Sequence, residues 1–217
     1  MAYNPNPALD NLHTGYIAMS GFGKSQALKQ NPDVPHRGVR MFLWDPDEDH
    51  NAHQYQNWNE MLRAVKRALK SGKGFRIAWT GEVDVEIFER WCGLVWECLD
   101  GDKPTYIIIE ELSDVQPSAG KATFYFGQIC RKSRKYNGRM HWTSQRSQEV
   151  SKTVYDQTLS YYIGFPNDTA PRTTVERLAR TAKCPNGAED LYALSELQFY
   201  CKKNNKSELV KLQYKKL

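Results

Sequence analysis

The sequence predicts an α/β fold, a mostly parallel central sheet flanked by helices and ending in a C-terminal β-hairpin. Three observations carry that expectation. Short apolar runs alternate with segments of helical period along most of the chain, the pattern of strand-helix units. Tyr106-Ile107-Ile108-Ile109 is a continuous apolar run, as in a strand covered on both faces. The first apolar run is joined to the first helical segment by a glycine-bent turn, Ser20-Gly21-Phe22-Gly23.

In order, residues 1–12, rich in Asn and Pro, read as an extended arm. Gly15 to Ala18 is a short strand and Lys24 to Gln30 a helix, broken by Asn31-Pro32-Asp33-Val34-Pro35. Val39 to Trp44 is the next strand, stopped at Asp45-Pro46. From Asn57 to Leu69, Trp58, Met61, Leu62, Val65 and Leu69 recur at helical spacing and Ser71-Gly72 closes the helix. Phe75 to Trp79 is a strand, Val85 to Leu99 a helix, Tyr106 to Ile109 a strand and Lys121 to Tyr136 a helix. Arg139 to Thr143 and Tyr161 to Phe165 are strands, and Thr174 to Thr181 is a helix. Residues 195–217 make the hairpin, with strands at Leu197 to Cys201 and Leu209 to Tyr214 and a turn over Lys203 to Ser207.

Hydrophobic residues make up 40% and charged residues 25% of the 217, which allows a substantial core, so residues 1–217 are expected to form a single domain. The formal charge of +5 favours polyanionic partners. From Lys202 onward the hairpin holds six lysines against one glutamate, which suits either DNA contact or the protection of an edge strand. No apolar run is long enough to span a membrane and the start lacks a signal-peptide pattern, so a cytoplasmic protein is expected. The five cysteines, Cys92, Cys98, Cys130, Cys184 and Cys201, form no C-x-x-C pair and read as reduced thiols.

Residues Ala18 to Ser25 match G-x-x-x-x-G-K-[ST] except for Ala18 in place of the first glycine. In such a loop the backbone N–H groups face an anion, Lys24 neutralises the outer phosphates and the Ser25 hydroxyl ligates magnesium. Ser20, Gly21, Phe22, Gly23, Lys24, Ser25 and Gln26 are therefore the nucleotide-binding candidates, with ATP and Mg2+ as the implied ligands. Glu110-Glu111 ends the buried run Tyr106 to Ile109, placing two carboxylates at the carboxyl end of a strand, where open α/β sheets bind ligands. Glu110 is assigned to the metal with Ser25, and Glu111 to the attacking water. Gln145, at the tip of the strand through Met140-His141-Trp142-Thr143, is placed to touch the terminal phosphate. His50 and His53 follow four acids but lack a third fixed ligand, and read as part of a polar loop. Trp91, Trp96, Tyr125 and Phe126 read as core. Basic residues at 63, 66, 67, 70 and 73 fit either phosphate contact or a solvated helix face.

Taken in order, the phosphate loop, Asp45-Pro46, Glu110-Glu111 and the stretch from Arg134-Lys135-Tyr136-Asn137-Gly138 to Thr143-Ser144-Gln145-Arg146 resemble the FtsK-HerA group of P-loop motor ATPases. The resemblance covers about residues 13–165. The small size looks most like the genome-packaging ATPases of membrane-containing icosahedral viruses. It implies an ATP-hydrolysing ring homo-oligomer that drives double-stranded DNA into a preformed capsid, in the host cytoplasm and at the virion vertex with capsid vertex proteins as partners. By matched position, Lys24, Glu110, Glu111 and Gln145 are its catalytic residues. A ring motor also needs an arginine from a neighbouring subunit, for which Arg146 and Arg134 are the first candidates and Arg76 and Arg90 the next. Two other readings remain open here: a morphogenesis ATPase that exports DNA, and a nucleotide-gated assembly protein that holds ATP without hydrolysing it.

Overall fold

The computed structural model describes residues 2–116 and 119–216, so Met1 and Leu217, the outer limits of the expected arm and hairpin, lie outside the described residues. Among the described residues nine strands form one sheet in the order β3-β4-β2-β5-β6-β1-β7-β8-β9. These are β1 (Thr14–Ile17), β2 (Arg40–Trp44), β3 (His53–Tyr55), β4 (Phe75–Trp79), β5 (Thr105–Ile109), β6 (Gly138–Ser144), β7 (Ser160–Ile163), β8 (Gln198–Lys203) and β9 (Lys206–Lys211). All pairs from β3 to β7 are parallel; β8 runs antiparallel to β7, and β9 to β8.

Alternation along the strands divides the core into two layers. Phe42, Trp44, Ile77, Trp79, Ile107 and Ile109 point to one face, where they meet α2 (Trp58–Ser71), α3 (Val85–Cys98), α4 (Phe124–Lys132), α5 (Lys152–Gln157), α6 (Arg172–Ala182) and α7 (Ala188–Tyr192). Tyr16, Met41, Leu43, Ala78, Tyr106 and Ile108 point to the other, where Ala27 and Leu28 of α1 (Lys24–Gln30) cover them. Trp91 and Phe126 are fully buried and Trp96 nearly so, but Tyr125 is 37% exposed and is not the core residue expected.

Local chemistry sets the ends of the elements. The Asn57 side chain accepts from the N–H of Asn59 and Glu60 to start α2, and Gly72 ends it with φ 68°. Asp84 caps α3 in the same way. The expected helix from Lys121 is shorter, because the Glu89 carboxylate of α3 accepts from the Thr123 hydroxyl and from the N–H of Tyr125 and Phe126, fixing the start of α4 at Phe124. A 3-10 turn at Ser133–Tyr136 and Asn137 at φ 58° then lead into β6. β3, α5 and α7 are additional elements of three, six and five residues, too short to show a period. In the hairpin the reversal is the pair Asn204-Asn205, so β9 begins at Lys206, three residues before the strand expected at Leu209.

The amino-terminal arm is tied down by backbone bonds from Tyr3 N–H to the Leu99 carbonyl at 3.2 Å and from Asn6 N–H to the Lys135 carbonyl at 2.6 Å. All five cysteines are free thiols. Among the described residues no helix is long and apolar enough to cross a membrane.

Candidate functional site

The site sits where β1, β5 and β6, neighbours in the sheet, release their chains at the carboxyl edge. Ala18, just beyond β1, is buried and is absent from the non-glycine residues of positive φ, so an ordinary backbone suffices there. Its methyl group is accommodated by Gly164, at which a Cβ would lie 3.0 Å from that of Ala18. Farther on, glycine is required: Gly21 and Gly23 have φ of 79° and 92°, and a Cβ on Gly23 would come within 2.5 Å of Leu197 Cδ2. Gly23 precedes α1 without any side-chain cap, and the first helical backbone bond is donated by Ala27, so the N–H groups of Lys24, Ser25 and Gln26 are left for an external acceptor.

Lys24 is buried, and its Nζ lies 3.1 Å from Glu111 Oε1. The Ser25 hydroxyl donates to Asp49 Oδ2 at 2.8 Å. Glu110 is 4% exposed, and both of its oxygens are engaged: Oε1 accepts from His50 Nε2 at 2.6 Å and Oε2 from the Thr143 hydroxyl at 2.6 Å. Thr143 in turn accepts from the Glu111 N–H at 2.9 Å, and the second Glu111 oxygen accepts from the Gln145 N–H at 3.2 Å. Glu111 takes φ 45°, a left-handed conformation that turns consecutive carboxylates in different directions instead of to opposite faces of a strand.

These contacts separate the two acids electrostatically. Burial opposes the charge of Glu110, but the hydrogen bond and charge of His50, the Thr143 hydroxyl and Lys24 outweigh it and hold the carboxyl below its ordinary value. For Glu111 burial prevails over Lys24 and the Gln145 N–H, and the repulsion of Glu110 adds to it, so this carboxyl is raised. The result is one fixed carboxylate and one that takes a proton more readily, the division that general acid-base chemistry uses.

Of the remaining expected residues, Ser20 and Phe22 lie on the loop, with Phe22 stacked on Phe165 at 4.9 Å. The Gln26 side chain is turned to the C-terminal tail, bonding both backbone groups of Lys215 at 2.9 and 3.0 Å, which leaves only its N–H toward the loop. Arg146 is paired with Asp114 at 2.6 Å and Glu149 at 3.3 Å and is nearly half exposed. Arg134 donates to the Pro7 and Leu9 carbonyls at the amino-terminal arm. Arg76 donates to the Asn51 carbonyl, and Arg90 lies over the Trp58 ring.

Asp45, Asp49, His50 and Thr143 are site residues that sequence reasoning missed. The Asp45 carboxylate accepts from the N–H of Asp49 and His50, both at 3.0 Å, folding the loop after β2 so that Asp49 reaches Ser25 and His50 reaches Glu110. His50 lies in the polar loop expected after β2, but its ring is buried as a partner of the acid, and His53 leaves the loop to open β3. The available signal was four acids followed by a histidine directly after a buried strand. Among the described residues no group of three His, Cys, Asp or Glu side chains forms a metal site of its own. Ser25 and Asp49 are hard oxygen donors of the kind that hold magnesium together with substrate phosphates.

The phosphate loop after β1, the paired acids after β5 and the sheet order give the chain the P-loop NTPase fold that its resemblance to the FtsK-HerA group implies. The chain belongs to the family of Protein P9 of Pseudoalteromonas phage PM2, with which it is 36% identical over 163 residues, 75% of this chain and 72% of that protein. The genome packaging NTPase B204 from Sulfolobus turreted icosahedral virus 2, in complex with ATP-gammaS, shares the fold with a TM-score of 0.73 at 13% identity, over 94% of this chain and 98% of that one. VirB4 of Thermoanaerobacter pseudethanolicus does so with a TM-score of 0.63 at 10% identity, over 94% and 90%. No protein-family model matches the chain.

Proposed function

We propose that this chain is an ATP-hydrolysing motor that translocates double-stranded DNA into a preformed viral capsid, acting as a single-domain subunit of a ring held at the capsid vertex, and so found in the host cytoplasm and the virion. The observation that carries the hydrolytic part is the Lys24–Glu111 ion pair at 3.1 Å, which ties the phosphate-binding cation to the acid expected to act on water. The fold shared with a viral genome packaging NTPase supports the packaging part.

In this reading the outer phosphates of ATP compete for Lys24, and Glu111 is released from its ion pair when they win. Freed, it accepts the proton of the attacking water, a step favoured by its raised proton affinity. Ser25 and Asp49 would hold magnesium, with Glu110 acting on it through water because both its oxygens already accept hydrogen bonds. Bound magnesium would neutralise charge on the phosphates. Gln145 holds Glu111 through its N–H and keeps its side chain for the terminal phosphate. Arg146 and Arg134 remain the candidates for an arginine acting on a neighbouring subunit; both are engaged within their own chain, and Arg146 would exchange its surface carboxylates for phosphate.

The test is ATP turnover with and without duplex DNA, for the native chain and for Lys24→Ala and Glu111→Gln. Stimulated turnover lost in both variants is the expected result. Tight ATP binding with no turnover in the native chain would instead support a nucleotide-gated assembly protein.

A further inference from the structure

β3 is shorter than the strand it covers. It pairs with Ile77, Ala78 and Trp79 of β4, so Phe75 and Arg76 have no strand on that side. A groove of about 620 Å³ occupies the gap, lined by His36, Arg37, His53, Tyr55, Arg67 and Arg76 among others. A second lobe of about 260 Å³ shares His36, Arg37 and Arg76 and adds Lys29 and His50. Among the described residues no carboxylate lines either lobe. Arg37 and Arg67 are exposed, and among the described residues their side chains have no hydrogen-bond or ion-pair partner. Arg76 spends one donor on the Asn51 carbonyl and keeps the rest of its guanidinium.

The other large basic cavity, beside α6, differs in kind. Its lining includes Asp156, and three of its five lysines and arginines are used within the chain: Arg177 on the Ser147 carbonyl, Lys183 on that of Asn205 and Lys202 on that of Leu159. Among the described residues, the β3–β4 groove gathers arginines from several elements with no acid in its lining, whereas the α6 cavity carries Asp156 among its cations.

We propose that this groove binds the phosphodiester backbone of duplex DNA. Guanidinium groups pair with phosphate through two parallel N–H donors, and several such groups on one wall without an acid form a polyanion site. An acidic protein segment offers carboxylates on flexible side chains, whereas DNA offers a regular line of phosphates along an open edge. The smaller lobe also ends on His50, the ring that holds Glu110 at 2.6 Å, so a phosphate there lies one side chain from the hydrolytic acids. The proposal rests on the translocase reading and names the surface on which the DNA is held.

The experiment is fluorescence anisotropy of a labelled short duplex over a salt series, with the native chain and the double variant Arg37→Ala, Arg67→Ala. Both residues are exposed and unpaired, so folding is preserved, which unchanged affinity for a fluorescent ATP analogue verifies. The expected result is duplex affinity about tenfold lower, a salt dependence shallower by about one to two counterions, and DNA stimulation of ATP turnover reduced while the basal rate is kept. Polyglutamate of equal charge should fail to displace the duplex. Native affinity and salt slope in the variant would overturn the groove alone, as would displacement by polyglutamate in favour of an acidic protein. A native chain that hydrolyses ATP but binds no duplex would remove the translocase reading with it.

Discussion

The carboxyl edge of β5 and β6 and the groove beside β3 and β4 are both dense in charge, and they handle it in opposite ways. At the first, the named charges are matched inside the chain: Lys24 by Glu111, Glu110 by His50 and Thr143, and Asp49 by the Ser25 hydroxyl. At the second, Arg37 and Arg67 stand unpaired in solvent. Desolvation explains the contrast, since a buried charge without a partner is costly while an exposed one is not. An internally matched site can act only by exchanging one partner for another, as the proposed function has Lys24 do when phosphate arrives. An unmatched site can accept an outside polyanion without breaking anything. Changes at the first should therefore act on the chemical step, and changes at the second on affinity.

The largest effect tests the matched site. Glu111→Gln keeps the shape and removes the base, and should lower ATP turnover on the order of 10³-fold while ATP still binds. Thr143→Val comes next. It strips the hydroxyl from Glu110 Oε2 and from the Glu111 N–H, and should cost about 2 kcal/mol in urea unfolding and lower turnover at least roughly tenfold, with DNA affinity unchanged. A large loss of DNA affinity in Thr143→Val would break the separation between the two regions. Gly23→Ala forces a side chain into a left-handed backbone and against Leu197, which should destabilise the chain by roughly 1–2 kcal/mol and weaken ATP binding in a titration.

The pH dependence of turnover sharpens the same comparison. The Glu111 carboxyl is raised above its ordinary value, so the base is protonated and the rate lost as pH falls through that raised value, earlier than an exposed glutamate would predict. Glu110 moves oppositely: its folded carboxyl is depressed, so the stability it contributes is present above the ordinary glutamate range and lost only as pH falls through the lower folded value. On acidification, rate should therefore decline before the melting temperature does. Ala18→Gly should have the smallest effect. Turnover should not change, because Ala18 already has an ordinary backbone and Gly164 provides its space. Only the added backbone freedom should appear, as about 0.5–1 kcal/mol of lost stability.

The parallel core was legible because its strands are continuous apolar runs and its long helices have a clear period. β3 was not, since His53-Gln54-Tyr55 has neither feature and is placed by its pairing with β4 and the packing of Tyr55 on the core. At the site, Lys24, Ser25, Glu110 and Glu111 could be read because spacing within a motif is local. The roles of Asp49 and His50 depend on a loop folded by Asp45 and on a strand about 60 positions away, which spacing does not report. The groove was equally invisible, because its arginines come from separate elements and its existence depends on how far β3 extends.

In the proposed function the Lys24–Glu111 pair is the resting form of a hydrolytic centre. Single-turnover ATP hydrolysis in the presence of duplex DNA, comparing the native chain with Glu111→Gln at saturating nucleotide, tests it most directly. The native chain should cleave rapidly, and the variant should hold its nucleotide uncleaved. Equal rates in the two would contradict it.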